Sequence, residues 1–240
     1  MRAAQKIPED ADYQICHALL QQALSIRDYN IPAALRVNSD QTQVIYHQSS
    51  SLTYDAIGVK QVSAISQEEK RAFTLNVAVS ATIYQSKSLK SLPSPTCDGY
   101  DEAMALGFRF ESSMTDTYWV TGDTMKSFIQ HILVPYFTAK KVKLSLPLSH
   151  EAIWQIDVWP VHTSEDLRAW LFKFYPWIIL SYVPGGCTGL FQPCDVGIQH
   201  ILKHSVQRTQ HGAIVEEVLC KLEDGKDPKS IHLDTSVITL

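Results

Sequence analysis

Charge is scarce in these 240 residues: Asp, Glu, Lys and Arg make up 19% of the chain, and the net charge is only −4. No bulk basicity announces a nucleic-acid partner, so any such contact must be local. Long apolar runs are missing too. Stretches such as Trp177–Leu180 are far too short to span a bilayer, which excludes membrane insertion. The opening segment, MRAAQKIPED, has no apolar signal core. Cysteine is sparse and odd in number: Cys16, Cys97, Cys187, Cys194 and Cys220. That pattern argues for reduced thiols in an intracellular compartment rather than a disulfide framework. The turn PGGCTG lacks the Lys-Ser/Thr that a phosphate loop requires. There is no internal repeat and no low-complexity tract.

Apolar residues are plentiful, at 45% of the chain, enough for a real core. Their spacing predicts a helix over 9–27, ended by YNIP, then a strand over 37–46 that contains Asp40. The alternation in FTLNVAVSATIYQS predicts a strand over 73–86. ALGFRFESS suggests a short strand. Residues 122–137 read as an amphipathic helix ending near Pro135. AKKVK, over 139–143, reads as a basic loop.

A buried strand is predicted over 151–159, a helix from TSEDLRAWLFKF with Thr163 or Ser164 as its cap, and a second buried strand in WIILSYV. That strand–helix–strand order favours a parallel pair, and the earlier strands suggest antiparallel neighbours. A further helix is expected from Asp195. The sum is a mixed α/β sheet.

Three carboxylates stand out. Asp40 and Asp157 lie in strands, where aspartate is depleted. Asp195 opens a helix, where the macrodipole favours an acid. They fit either a cluster that binds hard divalent cations or three unrelated caps at strand and turn ends. His162 reads as a general base for water or as a polar cap. Cys187, Cys194, His200 and His204 form no short Cys-x-Cys spacing, and read as buried thiols and surface histidines with no zinc.

These residues carry a resemblance. VNSDQTQVIY, WQIDVWPVH and YVPGGCTGLFQPCDVGIQHILKH resemble the three acidic blocks of DDE-superfamily endonucleases, in particular the pogo-like branch of the Tc1/mariner transposases. The matching positions are Asp40, then Asp157 and His162, then Pro184, Gln192, Pro193, Asp195 and Lys203. The 37 residues between Asp157 and Asp195 (195 − 157 − 1) agree with that family's spacing.

The resemblance implies an RNase H-like fold, a mixed sheet flanked by helices, occupying 34–215 between a helical leader (1–33) and a tail (216–240). It implies Asp40, Asp157 and Asp195 as catalytic and metal-binding residues for two Mg²⁺ or Mn²⁺ ions, with His162 and Lys203 as secondary candidates. It implies DNA as partner, a second copy of the chain as a possible one, no organic cofactor, and a nuclear location. Two departures are visible: no helix-turn-helix region precedes the first block, and no Gly-x-x-Leu-Pro-x-Gln segment interrupts 80–83. The second departure predicts that the hairpin at this point is lost or its strands fused. A catalytically inactive derivative, serving as a nucleic-acid-binding or protein-interaction domain, is the alternative reading.

Overall fold

The computed structural model describes residues 7–45, 72–80, 85–90, 100–111 and 119–225. Helix α1 (Ala11–Asp28) ends where Tyr29 and Asn30 bond back to its last turn. A single 3₁₀ turn then leads into β1 (Arg36–Ile45). β2 (Ala72–Ser80) and β3 (Gln85–Lys90) follow. Then come α2 (Tyr100–Ala105), α3 (Gly122–Phe128) and α4 (Val134–Lys143). β4 (Ala152–Asp157), α5 (Pro160–Thr163), α6 (Glu165–Phe174) and β5 (Ile178–Val183) form the predicted strand–helix–strand unit. α7 (Thr188–Phe191) and α8 (Gln199–Glu223) are the last described elements, joined through a π turn over Cys194–Ile198.

The five strands form one sheet in the order β3-β2-β1-β4-β5. β1, β2 and β3 are antiparallel neighbours, whereas β4 runs parallel to both β1 and β5. This is the expected mixed sheet. The hairpin expectation needs correction. Residues 72–90 do not fuse into one strand: β2 and β3 pair antiparallel, with Val79 opposite Gln85. The hairpin survives in shortened form, and its link, 81–84, lies outside the described residues.

Strand alternation sends odd and even positions of β1 to opposite faces. Val37 joins Ala78, Met125, Phe128, Leu133, Phe137 and Trp154 in the larger core, under α3 and α4. Val44 joins Leu75, Val77 and Cys194 in a smaller core, with Phe108, Ile198 and Leu202 against it. Trp154 Nε1 donates to Ser39 Oγ at 2.7 Å, tying β4 to β1 inside the larger core. In the smaller core, Cys194 N–H donates to Asn38 Oδ1 at 2.9 Å, and Asn38 Nδ2 donates to the Gln155 carbonyl at 3.2 Å.

Pro135 does not end a helix. The segment Ile129–Leu133 is a π turn, and the Val134 N–H reaches back five residues to the Ile129 carbonyl. Proline follows where the regular i−4 ladder is already interrupted, so its missing N–H costs little. α4 therefore continues to Lys143. AKKVK is thus a helix end, not a solvated loop. Lys141 is wholly enclosed, with Nζ 3.2 Å from the Trp177 ring centre and donating to the Leu148 carbonyl at 2.9 Å.

α3 starts at a capping box: Thr121 and Thr124 exchange side-chain and backbone hydrogen bonds. Ser164 Oγ caps α6 by accepting the Leu167 N–H. PGGCTG is a turn, with Cys187 N–H on the Pro184 carbonyl and Gly186 at φ +76°, a conformation glycine adopts without strain. The expected strand near 105–113 reduces to an isolated bridge at Phe110. Among the described residues, no helix is long and apolar enough to cross a membrane.

Candidate functional site

The pairing register brings the first two acids together. β1 and β4 pair with Asn38 opposite Gln155, an offset of 155 − 38 = 117. Asp40 and Asp157 are separated by the same 117 positions. Each therefore lies two residues beyond the last position at which β1 and β4 pair; β4 ends at Asp157, whereas β1 runs on to Ile45 with Asp40 opposite Val77 of β2. Asp40 is 8% exposed, and the Asp157 side chain 27%. Asp195 enters from the π turn that begins at Cys194, itself anchored on Asn38 of β1.

Asp40 is the electrostatic centre of this group. Its carboxyl is pushed up to about 8, first by burial, then by the charge of Asp195 and a hydrogen bond shared with the Asp195 side chain. The Asp157 charge adds in the same direction, and the Gln41 backbone N–H opposes it. A cation between the two carboxylates would offset their repulsion.

Asp157 has a different partner. Its Oδ1 lies 2.6 Å from His162 Nδ1. The other ring nitrogen, Nε2, lies 3.2 Å from Gln41 Nε2. A neutral ring meets both contacts when Nδ1–H donates to the carboxylate and Nε2 accepts from the Gln41 amide. His162 is 2% exposed, enclosed by Trp154 and Trp159, and the Tyr182 hydroxyl donates to its carbonyl at 3.0 Å. As placed, the ring orients Asp157 and turns neither nitrogen toward solvent.

Lys203 is half-buried on α8, two helical turns beyond Asp195. Gln192 is completely enclosed, with both amide atoms unpartnered. Cys187 and Cys194 are buried, while His200 and His204 face outward on α8, so these four do not come together. Burial, reinforced by Asp40 and Asp195, pushes the Cys194 thiol far up and keeps it protonated. Cys97 lies outside the described residues.

Three uncharged amides escaped the sequence reading. Gln199 is buried and its Nε2 donates to Asp40 Oδ2. Gln41 holds His162, and Asn38 holds the Cys194 backbone. One signal was available for Gln199: it lies four residues after Asp195 on an expected helix, hence on the same face.

Whether these residues suit a divalent ion can be judged from the donors. Among the described residues no three His, Cys, Asp or Glu side chains are grouped as ligands of one ion. Asp40 and Asp195, however, are two oxygen donors near enough that the charge of Asp195 opposes the ionisation of Asp40. Mg²⁺ is commonly held by one or two carboxylates, its other positions going to water and substrate phosphate. The pair fits that demand, with Asp157 alongside in register.

No family model matches the chain, and no curated protein does. Solved structures do. The Mos1 mariner paired-end complex with Mn is 15% identical, over 85% of this chain and 53% of that one, with a TM-score of 0.50. The Mos1 strand transfer complex is 13% identical over 95% and 59%, with a TM-score of 0.47. The catalytic domain of Mos1 mariner transposase is 12% identical over 85% and 74%, with a TM-score of 0.44. This chain spans little more than half the length of the first two. The strand order, the mixed pairing and the likeness to the paired-end complex together establish an RNase H-like α/β fold, one shared with Mos1 mariner transposase.

Proposed function

We propose that this chain is a transposase-type, DNA-processing domain in which Asp40, Asp157 and Asp195 form the reaction centre for phosphodiester cleavage and strand transfer. The observation that supports this reading is the register of the first two acids, each two residues beyond the last paired position of β1 and β4, with the charge of Asp195 bearing on Asp40. Asp40 and Asp195 would hold Mg²⁺ or Mn²⁺, and such ions stabilise the attacking and leaving oxygens of phosphoryl transfer.

The surrounding residues set the acids in place. Gln199 fixes one oxygen of Asp40, and His162 fixes one oxygen of Asp157. Gln41 holds the far nitrogen of His162, so β1 positions the partner of Asp157 as well as Asp40. DNA would approach the end of β4 beside Asp40, with a second copy of the chain and a nuclear setting as parts of the same reading.

The test is a nicking assay with supercoiled DNA and Mn²⁺ or Mg²⁺. Wild-type cleavage should require the metal, and Asp157→Ala should lose it by about a hundredfold or more. Cleavage that survives Asp157→Ala unchanged sinks the assignment. Gln199→Ala should bind Mn²⁺ about tenfold more weakly, as loss of a residue that orients a ligand does. Electron paramagnetic resonance of free Mn²⁺ reads this without any turnover, and equal affinity would remove Gln199 from the site.

A second reading has its own support. Asp157 is engaged by His162, and no three ligands are grouped among the described residues. A derivative that binds nucleic acid without cutting it would give retention on DNA, no nicking, and Asp157→Ala binding as well as or better than the wild type.

A further inference from the structure

A cleft of about 240 Å³ lies on the same sheet face as Asp40, toward the opposite end of β1. The hydrogen bond from Cys194 N–H to Asn38 Oδ1 separates the two places. α1 contributes Gln22 and Ile26 to its lining, β1 contributes Arg36 and Asn38, β4 contributes Gln155, and α7 contributes Phe191. Pro193 and Val79 extend the apolar wall.

Arg36 is the anomaly. Its Nε is buried and has no hydrogen-bond partner among the described residues, and none of the described residues lining the cleft is acidic. A buried guanidinium N–H without an acceptor is costly, and native structures rarely leave one so. Arg36 is also the one cationic side chain among the described lining residues, with no carboxylate beside it there, so the cleft favours an anionic ligand. It also has what a bare anion would not use: a wall of Phe191, Pro193, Ile26 and Val79, with the neutral amides of Gln22 and Gln155 beside it. The volume falls just short of the roughly 300–1,000 Å³ typical of organic-ligand pockets. It is larger than a single ion needs. An acidic peptide side chain would satisfy Arg36 but leave the apolar wall and the amides without contacts.

We propose that this cleft binds one nucleotide unit, its phosphate on Arg36 and its base against Phe191 and Pro193. Arginine suits phosphate because its planar N–H fork matches two oxygens at once. Gln22 and Gln155 supply neutral donors and acceptors for the base edge or the sugar. The same chemistry could come from a free mononucleotide or from the 5′-phosphorylated end of a strand. The site is distinct from the acidic centre and does not depend on metal.

The test is calorimetric titration of the full chain, in EDTA, with four probes: inorganic phosphate, thymidine 5′-monophosphate, a 5′-phosphorylated tetranucleotide and an acidic tetrapeptide. The nucleotide or the tetranucleotide should bind, and tighter than phosphate by about tenfold, because the base contributes. A tighter tetranucleotide identifies the strand end as the source, and a tighter mononucleotide the free ligand. Arg36→Gln should weaken binding about tenfold or more.

Gln22→Glu provides a variant that does not endanger the fold. It places a carboxylate in the cleft where Arg36 can meet it, and it should abolish nucleotide binding while leaving thermal stability equal or higher. Nucleotide binding unchanged by Gln22→Glu overturns the proposal. So does phosphate binding as tightly as the nucleotide, tighter binding of the acidic peptide, or no binding by any probe.

Discussion

Asp40→Asn will melt above the wild-type chain at pH 7 in EDTA. The reason is the desolvated, crowded carboxyl, whose pKa rises from the ordinary 3.8 to about 8 through burial and the neighbouring Asp195. Asparagine keeps the shape and an acceptor for Gln199, and it removes the ionisation that the fold opposes. Replacing poorly compensated buried charge typically stabilises by about 1–4 kcal/mol. In a chain of this size that raises Tm by about 2–4 °C for each kcal/mol.

The sign of the pH dependence follows from linkage. Folded Asp40 holds its proton up to about 8, whereas the unfolded residue loses it near 3.8. The stability associated with this group is fully present below pH 3.8 and is lost as pH rises toward 8. The advantage of Asp40→Asn should therefore widen from pH 4 to pH 8 and then level off. Differential scanning fluorimetry across that range measures it.

Saturating Mn²⁺ should reverse the order. At a hundred times its dissociation constant the ion stabilises the wild type by about 2.7 kcal/mol, and the asparagine variant loses much of that gain. A variant that melts at or below the wild type throughout pH 5–8 would mean that Asp40 is not held against its ionisation.

The second large effect lies away from the acids. Lys141→Ala should cost about 2–4 kcal/mol and lower Tm accordingly. The change empties a fully enclosed position, removes an ammonium from the face of Trp177, and deprives the Leu148 carbonyl of its donor. Burial lowers the Lys141 ammonium from 10.5 to about 8, only partly opposed by Glu151. The folded state thus gives up this proton before the unfolded state does, so stability should rise as pH climbs from about 8 to 10.5. Urea titrations at pH 7.5 and pH 9.5 test both parts. A loss under 1 kcal/mol for Lys141→Ala would show that the cation and its ring contribute little.

Periodicity exposed much of the fold. The apolar runs that form β4 and β5 and the Ser164 cap depend on neighbours in sequence and appear where the sequence puts them, whereas the strand expected over 73–86 divides into β2 and the start of β3. The register of the first two acids was legible only as a number: 117 positions of separation acquire meaning once Asn38 is seen to pair with Gln155. Features that depend on contacts across the chain were not legible. His162 read as a residue just past a strand, but two tryptophans enclose it and two side chains hold its nitrogens. Lys141 read as solvated because sequence cannot show that Trp177 will cover it. Gln41 and Gln199 carry no charge and fit no motif, so nothing set them apart until their partners were in place.

The π turn at Ile129–Leu133 has a consequence in the geometry of rotation. Met125, Ile129, Leu133, Phe137 and Lys141 recur every four residues, and all five are 0–1% exposed. In an unbroken α-helix a four-residue step overshoots a full circle by about 40°, so such a row would wind around to the solvent side. The wider π turn takes back part of that overshoot and keeps the five side chains on one line facing the sheet. The segment works as a phase corrector. Deleting one residue within it would turn the whole of α4 by about 100° and carry Lys141 off the ring it covers.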